Sequence, residues 1–434
     1  MAVRKYWMRA AVTAFVVMAS AGVVATPTAQ AEDVGIAHGR LLGSLPAEDV
    51  DTANDSDTGV TSELRSRGGS CADSPAAARA VAEKSAYTCS ELTRGPVPAT
   101  MRTPTVSSVN AESGTTCTTK MNNIHMDRMA YCGLAQITAR NWSKEGELVG
   151  TAVMRVSFTG VLKPDSGVWE EEDSLTVTEI TGPSPEWAVT WTAKCTSGCT
   201  ATTPRPWAAA RPMTKGQTVT GTVTYSDVPA PDGLDRTRPG AFVDAVPPNS
   251  TVIDSAQWSL AHDIRCDSYV ERKNPGCAVP DVTPHVEFSK AEQQAAAESY
   301  LWARNNLTSH PGETSFMYSN NGKANRKRTC EEQSSVPFVP IPAVVDDSCD
   351  EYPFASTYQG GTDGGLCAEI VPQLENGTWK FYQADDSRPV TFNEPCIRSH
   401  VPSRQNKSAG GVLGNVVKNQ RIIDTDKFTI GFVA

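Results

Sequence analysis

Beyond residue 31 the 434-residue chain has no apolar stretch near the ~20 residues a membrane-spanning helix needs, so no later segment is long enough to cross a bilayer. Positive charge is short: 39 Lys and Arg stand against 49 Asp and Glu, a net charge of −10. An acidic chain is repelled by polyanions at long range, so nucleic-acid binding here needs a local basic patch or a metal ion. Histidine is scarce, and only His310 and His400 follow Ser289. There is no His-Glu-x-x-His helix, no Gly-x-Ser-x-Gly elbow and no Gly-x-x-x-x-Gly-Lys-Ser/Thr loop, so zinc protease, serine esterase and nucleotide hydrolase readings lack their core residues. No internal repeat is found.

What is present starts with a leader. Arg4, Lys5 and Arg9 are cationic, Ala10 to Ala25 is almost wholly apolar, and Ala29-Gln30-Ala31 offers a small-residue cleavage site, the pattern of a secretory signal over 1–31. Removing it leaves 434 − 31 = 403 residues, room for two or three domains of roughly 150 residues, and moves the charge from −10 to −13. In an exported chain the 12 cysteines read as disulfides. Spacing does not fix connectivity, but near neighbours make local loops: Cys71 with Cys89, Cys117 with Cys132, Cys195 with Cys199, Cys266 with Cys277, Cys330 with Cys349, and Cys367 with Cys396. Cys195 and Cys199 have no second ligand pair at zinc spacing.

Residues 32–112 are rich in Ala, Ser, Thr, Asp, Gly and Pro and read as a low-complexity, partly disordered segment or prosequence, with one helix expected after Ser74-Pro75. From 113 to 288 the period becomes two, in Thr151 to Phe158, Ser174 to Thr178, Trp187 to Trp191 and Thr218 to Tyr225, which predicts an antiparallel β-sandwich-like domain without a catalytic constellation. At Ser289-Lys290-Ala291-Glu292 a capping box opens a helix to about Asn305 and the last domain, 289–434. There follow a Pro-rich stretch, strands near Leu366 to Val371 and Thr378 to Gln383, a helix from about Ser408 to Asn419, and a strand Lys427 to Val433. The whole is a multidomain α+β chain.

Two stretches carry chemistry. Asp350-Glu351-Tyr352-Pro353 sets adjacent carboxylates before a proline bend; on an extended chain neighbours point to opposite faces, so at most one addresses a given site. Ser403-Arg404-Gln405-Asn406-Lys407 leads into Gly410-Gly411 and an apolar helical face, with Asn415 looking away. Glycines there cost roughly 1 kcal/mol each relative to Ala, which points either to packing on the sheet or to room for a phosphate backbone.

Asp350-Glu351-Tyr352-Pro353-Phe354-Ala355-Ser356-Thr357, then Gly360-Gly361, then Asn406 ahead of Gly410-Gly411, preceded by the basic run Arg326-Lys327-Arg328, resembles the motif order of the NucA/NucB family of secreted DNA nucleases over about residues 329–434. The resemblance implies a small, disulfide-stapled α+β nuclease domain akin to the ββα-metal group, cutting DNA without sequence preference and needing Mg²⁺ or Mn²⁺. By position it makes Asp350 the general base, in place of the histidine of other members, and Asn406 a metal ligand; at an ordinary pKa of ~3.9 such an aspartate is ionised at neutral pH and a weaker base than histidine. Glu351 stands beside the base as a metal ligand or brace, Glu369 is a further candidate ligand, and Arg328, Arg404, Lys407 and Asn415 are candidates for holding the phosphate backbone. One cation bound through oxygen ligands neutralises the phosphate and resolves the charge conflict. The competing readings are glycoside hydrolysis by paired carboxylates in the β domain, and a non-catalytic secreted surface or matrix protein that binds DNA or glycan.

Overall fold

The computed structural model describes residues 39–46, 59–64, 71, 86–93, 119–270 and 274–434. The leader and the helix expected after Ser74 lie outside them. Among the described residues no helix is long and apolar enough to cross a membrane.

Each alternating run becomes part of a strand: Leu148–Lys163, Ser166–Thr181, Glu186–Cys195 and Thr218–Ser226. A nine-stranded sheet faces a four-stranded one, and their inner side chains close a single core, for example Phe158 stacked on Trp258 at 5.7 Å. Pairing is mostly antiparallel, but Ser250–Asp254 runs parallel to Ala86–Leu92. That last strand, with Val60–Glu63, comes from the stretch read as low-complexity; it is held by the Cys71–Cys89 bridge. Four further expected disulfides are formed, 195–199, 266–277, 330–349 and 367–396. Cys132 is also bridged, and Cys117 lies outside the described residues.

The strand Ser166–Thr181 passes through four consecutive acidic residues, Glu170-Glu171-Glu172-Asp173. Alternation sends Glu170 and Glu172 outward and buries Glu171 and Asp173. Tyr225 donates to Glu171 at 3.1 Å, while neither Asp173 oxygen meets an N–H or O–H donor of the protein. The two carboxyls lie on the same buried face of the strand. Burial pushes Glu171 up to about 7 and, with the charge of Glu171, holds Asp173 well above the carboxylate range. Folded-state pKa values above unfolded ones mean the folded form binds more protons, so this pair's stabilisation is full below the ordinary carboxylate range and is lost as pH rises toward and past 7. We expect unfolding free energy to fall as pH rises from 5 to 9, Glu171 contributing about 3 kcal/mol of the change, and Glu171→Gln to remove that part of the slope. Urea titrations across that range check this, and stability that climbs with pH in the wild type would refute it.

A second core is built from residues 286 to 432. Its five-stranded sheet has the order Leu41–Pro46, Thr378–Gln383, Ala368–Glu375, Ile397–Pro402 and Asp347–Tyr352. The first of these strands again comes from the low-complexity stretch. The helices Ala295–Asn306 and Ser403–Asn419 cover one face, with Trp302 stacked on Phe381 at 5.6 Å. The capping box forms, but its reciprocal partner is Gln293, not Glu292: Ser289 accepts from Glu292 N at 3.3 Å and its own N–H donates to Gln293 Oε1 at 2.8 Å. The helix breaks at Gln294, which has a φ of 43°, and restarts at Ala295. The last helix begins at Ser403 rather than Ser408, so its polar start is a helical turn that places Asn406 one turn in.

Candidate active site

Asp347–Tyr352 is the edge strand of the sheet, paired with Ile397–Pro402 so that Asp350 lies opposite Ser399 and Glu351 opposite Arg398. Beyond this edge opens a cavity of about 470 Å³ bounded by Tyr300, Arg326, Asp350, Glu351, Asn406 and one face of the last helix. Because the cavity wraps around an edge, it meets both faces of the strand, and both carboxylates border it. This corrects the expectation that only one would.

Asp350 is 5% exposed, and the Tyr300 hydroxyl donates to its two oxygens at 2.9 and 2.8 Å. Burial, reinforced by the charge of Glu351, pushes its carboxyl up to about 8, against the opposing pull of Tyr300 and Arg326. Burial thus favours the protonated carboxyl more than in an ordinary aspartate, and a cation bound nearby would oppose that shift. Burial also raises Glu351, opposed by the Arg326 guanidinium, which donates to its Oε2 at 2.8 Å.

Asn406 directs its amide nitrogen to Ser348 Oγ at 3.1 Å and to the Cys349 carbonyl at 2.8 Å. These bonds fix the amide and turn its oxygen into the acceptor left for a ligand. The same Cys349 carbonyl accepts from Arg326 Nη2 at 3.1 Å, so one backbone oxygen anchors two walls of the cavity. Cys330, Cys349 and Glu351 also converge, but the two sulfurs are bonded to each other and supply no thiolate. The donors left for a cation are oxygens, of Asp350, Glu351 and Asn406, which is the set a hard divalent ion prefers.

Other expected residues lie elsewhere. The Glu369 carboxylate is held by Arg388, by Arg398 at 2.6 Å and by His400 at 3.2 Å, and it does not border the cavity. Against the upward pull of burial, bonds from His400 and Arg398 keep its pKa low. His400 is buried between Glu369 and Asp347, whose Oδ2 is 2.7 Å from Nδ1, and stacks on Phe338. Exposed His310 bonds the Arg304 carbonyl. Neither histidine borders the cavity.

In the basic run, which forms the helix Gly322–Thr329, the cavity residue is Arg326; Arg328 points to Asn325 Oδ1 at 2.7 Å. Lys323, one turn before Arg326, and Tyr318 also border the cavity and were not read from the sequence. Only the helical spacing of 323 and 326 hinted at a shared face. Arg404, Lys407 and Asn415 are exposed on the last helix outside the cavity lining. Packing does not explain that helix's glycines: a Cβ at Gly410, Gly411 or Gly414 would meet nothing within 4 Å. Among the described residues nothing fills the space beside Gly410 and Gly414, which border the cavity.

A buried carboxylate, an amide fixed by two hydrogen bonds and two cationic side chains thus border one open cavity, a set of groups to weigh as a candidate hydrolytic site. Residues 301–381 match the family described as Deoxyribonuclease NucA/NucB, a span that contains Arg326, Asp350 and Glu351 and stops short of Asn406. The chain thus carries a NucA/NucB-family domain, that of a DNA hydrolase, in its C-terminal part. No curated protein matches the chain.

Proposed function

We propose that the chain is a secreted, divalent-metal-dependent endonuclease that hydrolyses DNA phosphodiester bonds without sequence preference, and that residues 289–434 hold the catalytic domain. The observation that carries this reading is the buried Asp350, on the same cavity as the oriented amide of Asn406, inside a region that matches a deoxyribonuclease family. The antiparallel pair Asp347–Tyr352 and Ile397–Pro402, followed at once by the helix Ser403–Asn419, supports the likeness to the ββα-metal group. The signal-like leader and the disulfides support secretion.

Asp350 accepts the proton of the attacking water, with Tyr300 holding both carboxylate oxygens in place. Mg²⁺ or Mn²⁺ held by the oxygens of Asn406 and Glu351 supplies neutralisation of the scissile phosphate and of the departing 3′ oxygen. Lys323 and Arg326 at the cavity, with Arg404 and Lys407 outside it, hold neighbouring phosphates. The open glycine face of the last helix admits the DNA backbone. Contacts of this kind carry no base information, which supports cutting without sequence preference.

Asn406→Ala tests the metal site. The concentration of Mg²⁺ or Mn²⁺ that gives half-maximal plasmid cleavage should rise at least about tenfold, as for loss of one ligating group, with the far-UV spectrum unchanged. An unchanged metal titration would remove Asn406 from the ligand set.

A further inference from the structure

The two cores meet across a buried cluster of charge. Arg128, 2% exposed and belonging to the β-rich part, donates to the carbonyls of Gln420 at 2.8 Å and Arg421 at 2.9 Å, and to Asp426 Oδ2 at 2.8 Å. Arg265 grips the same Asp426 with bonds of 2.8 and 2.9 Å and also reaches the Arg421 carbonyl. Arg421 crosses the other way: fully buried at a φ of 46°, it donates to Asp267 at 2.5 Å and to the Pro164 carbonyl. The carbonyls of Gln420 and Arg421 follow directly on the helix Ser403–Asn419, so the arginines face its negative end.

This loop also forms part of the cavity wall. The Asp426 carbonyl accepts from Tyr318 N, and Thr425 N donates to Tyr318 O. Tyr318 borders the cavity, as does Val417 near the end of the helix. At the far edge of the sheet, Leu41–Pro46 pairs with Thr378–Tyr382. Taking away everything before Pro284 would leave the Arg421 guanidinium without its partners, the Asp426 carboxylate without either arginine, and Thr378–Gln383 open on one side. Breaking a buried ion pair by removing one side is among the most destabilising changes a protein can suffer.

We propose that the β-rich part is a permanent scaffold of the cavity domain, not a prosequence to be removed: Arg128 and Arg265 are positioning residues that hold Asp426, and through it the Tyr318 wall. The scaffold itself is independent of the chemistry performed in the cavity; only its effect on cleavage rests on the nuclease reading.

The five described disulfides each close on one side of Thr283, so a cut there leaves those bridges intact without linking the halves. A site-specific protease sequence is inserted between Thr283 and Pro284 of the full chain, which is folded, oxidised, cut and run on size exclusion. The halves should co-elute with plasmid cleavage within twofold of the uncut protein. Asp426→Asn, which keeps the shape and removes the charge, should let the cut halves separate at concentrations at least tenfold higher, with kcat lowered more than KM. Halves of the wild type that part on cutting, with cleavage kept or raised in the 284–434 half, would overturn the proposal. Co-elution without cleavage before or after the cut would support the scaffold and count against the nuclease reading alone.

Discussion

Asp350→Asn in the full-length chain is expected to lower kcat for DNA cleavage by about 10²–10⁴, the range for loss of a general base. The amide has the shape of the carboxylate, and Tyr300 can still donate to its oxygen, so packing among Tyr300, Tyr352 and Phe354 is retained. What it loses is the ability to take a proton. In the native protein burial and Glu351 push the carboxyl up to about 8, so a bound cation would be needed to hold it ionised near neutral pH. Because the wild-type carboxyl is costly to ionise where it sits, the substitution should not destabilise the fold. Cleavage within tenfold of wild type, with an unchanged melting temperature, would show that another group takes the proton.

The second large effect concerns the Cys330–Cys349 bridge. Its 19-residue separation corresponds to about 3 kcal/mol in the loop-closure model, so a Cys330→Ser and Cys349→Ser double variant should lose roughly that much stability. The consequence for activity should be larger than for other bridges. The Cys349 carbonyl is the shared acceptor of Arg326 and Asn406, and the next residue is Asp350. Letting that backbone drift displaces base, amide and guanidinium together, and misplacement by an ångström costs on the order of 10²-fold in rate. The Cys367→Ser and Cys396→Ser pair serves as the comparison: it removes a bridge of 29-residue separation whose cysteines hold neither Arg326 nor Asn406, so stability falls while cleavage by the folded fraction is kept. Equal losses of specific activity in both variants would mean that Cys349 has no special place at the site.

Part of the cavity lining was readable because Asp350, Glu351 and Asn406 sit in local patterns. Asp350 follows a cysteine and precedes a proline bend, Asn406 precedes a glycine pair, and the short-range disulfides emerged from neighbours in sequence. The strands of the β-rich part were readable wherever Thr and apolar residues alternate. The reading failed where burial is conferred from a distance. Glu171 and Asp173 carry no local sign of burial, yet a strand that passes between two others carries them inside. Leu41–Pro46 is too short and too plain to announce itself, and becomes a strand because Thr378–Tyr382 offers an open edge. Arg326 rather than Arg328 faces the cavity because the basic run is helical, and helical rotation separates neighbours that a linear reading lumps together. Glu369 looked free to bind a metal because nothing in its neighbourhood names Arg388, Arg398 and His400 as its partners. The raised pKa of Asp350 was invisible for the same reason: it comes from burial among residues distant in sequence, against a Tyr300 hydrogen bond that lowers it.

The most direct test of the central claim is nicking of covalently closed plasmid by the secreted protein, in Mg²⁺ or Mn²⁺ and again with chelator, beside Asp350→Asn. Cation-dependent conversion to open-circular and linear DNA, abolished by chelator and by the substitution, is the predicted result. Folded, oxidised wild-type protein that binds the plasmid and leaves it closed under every cation tried would contradict it.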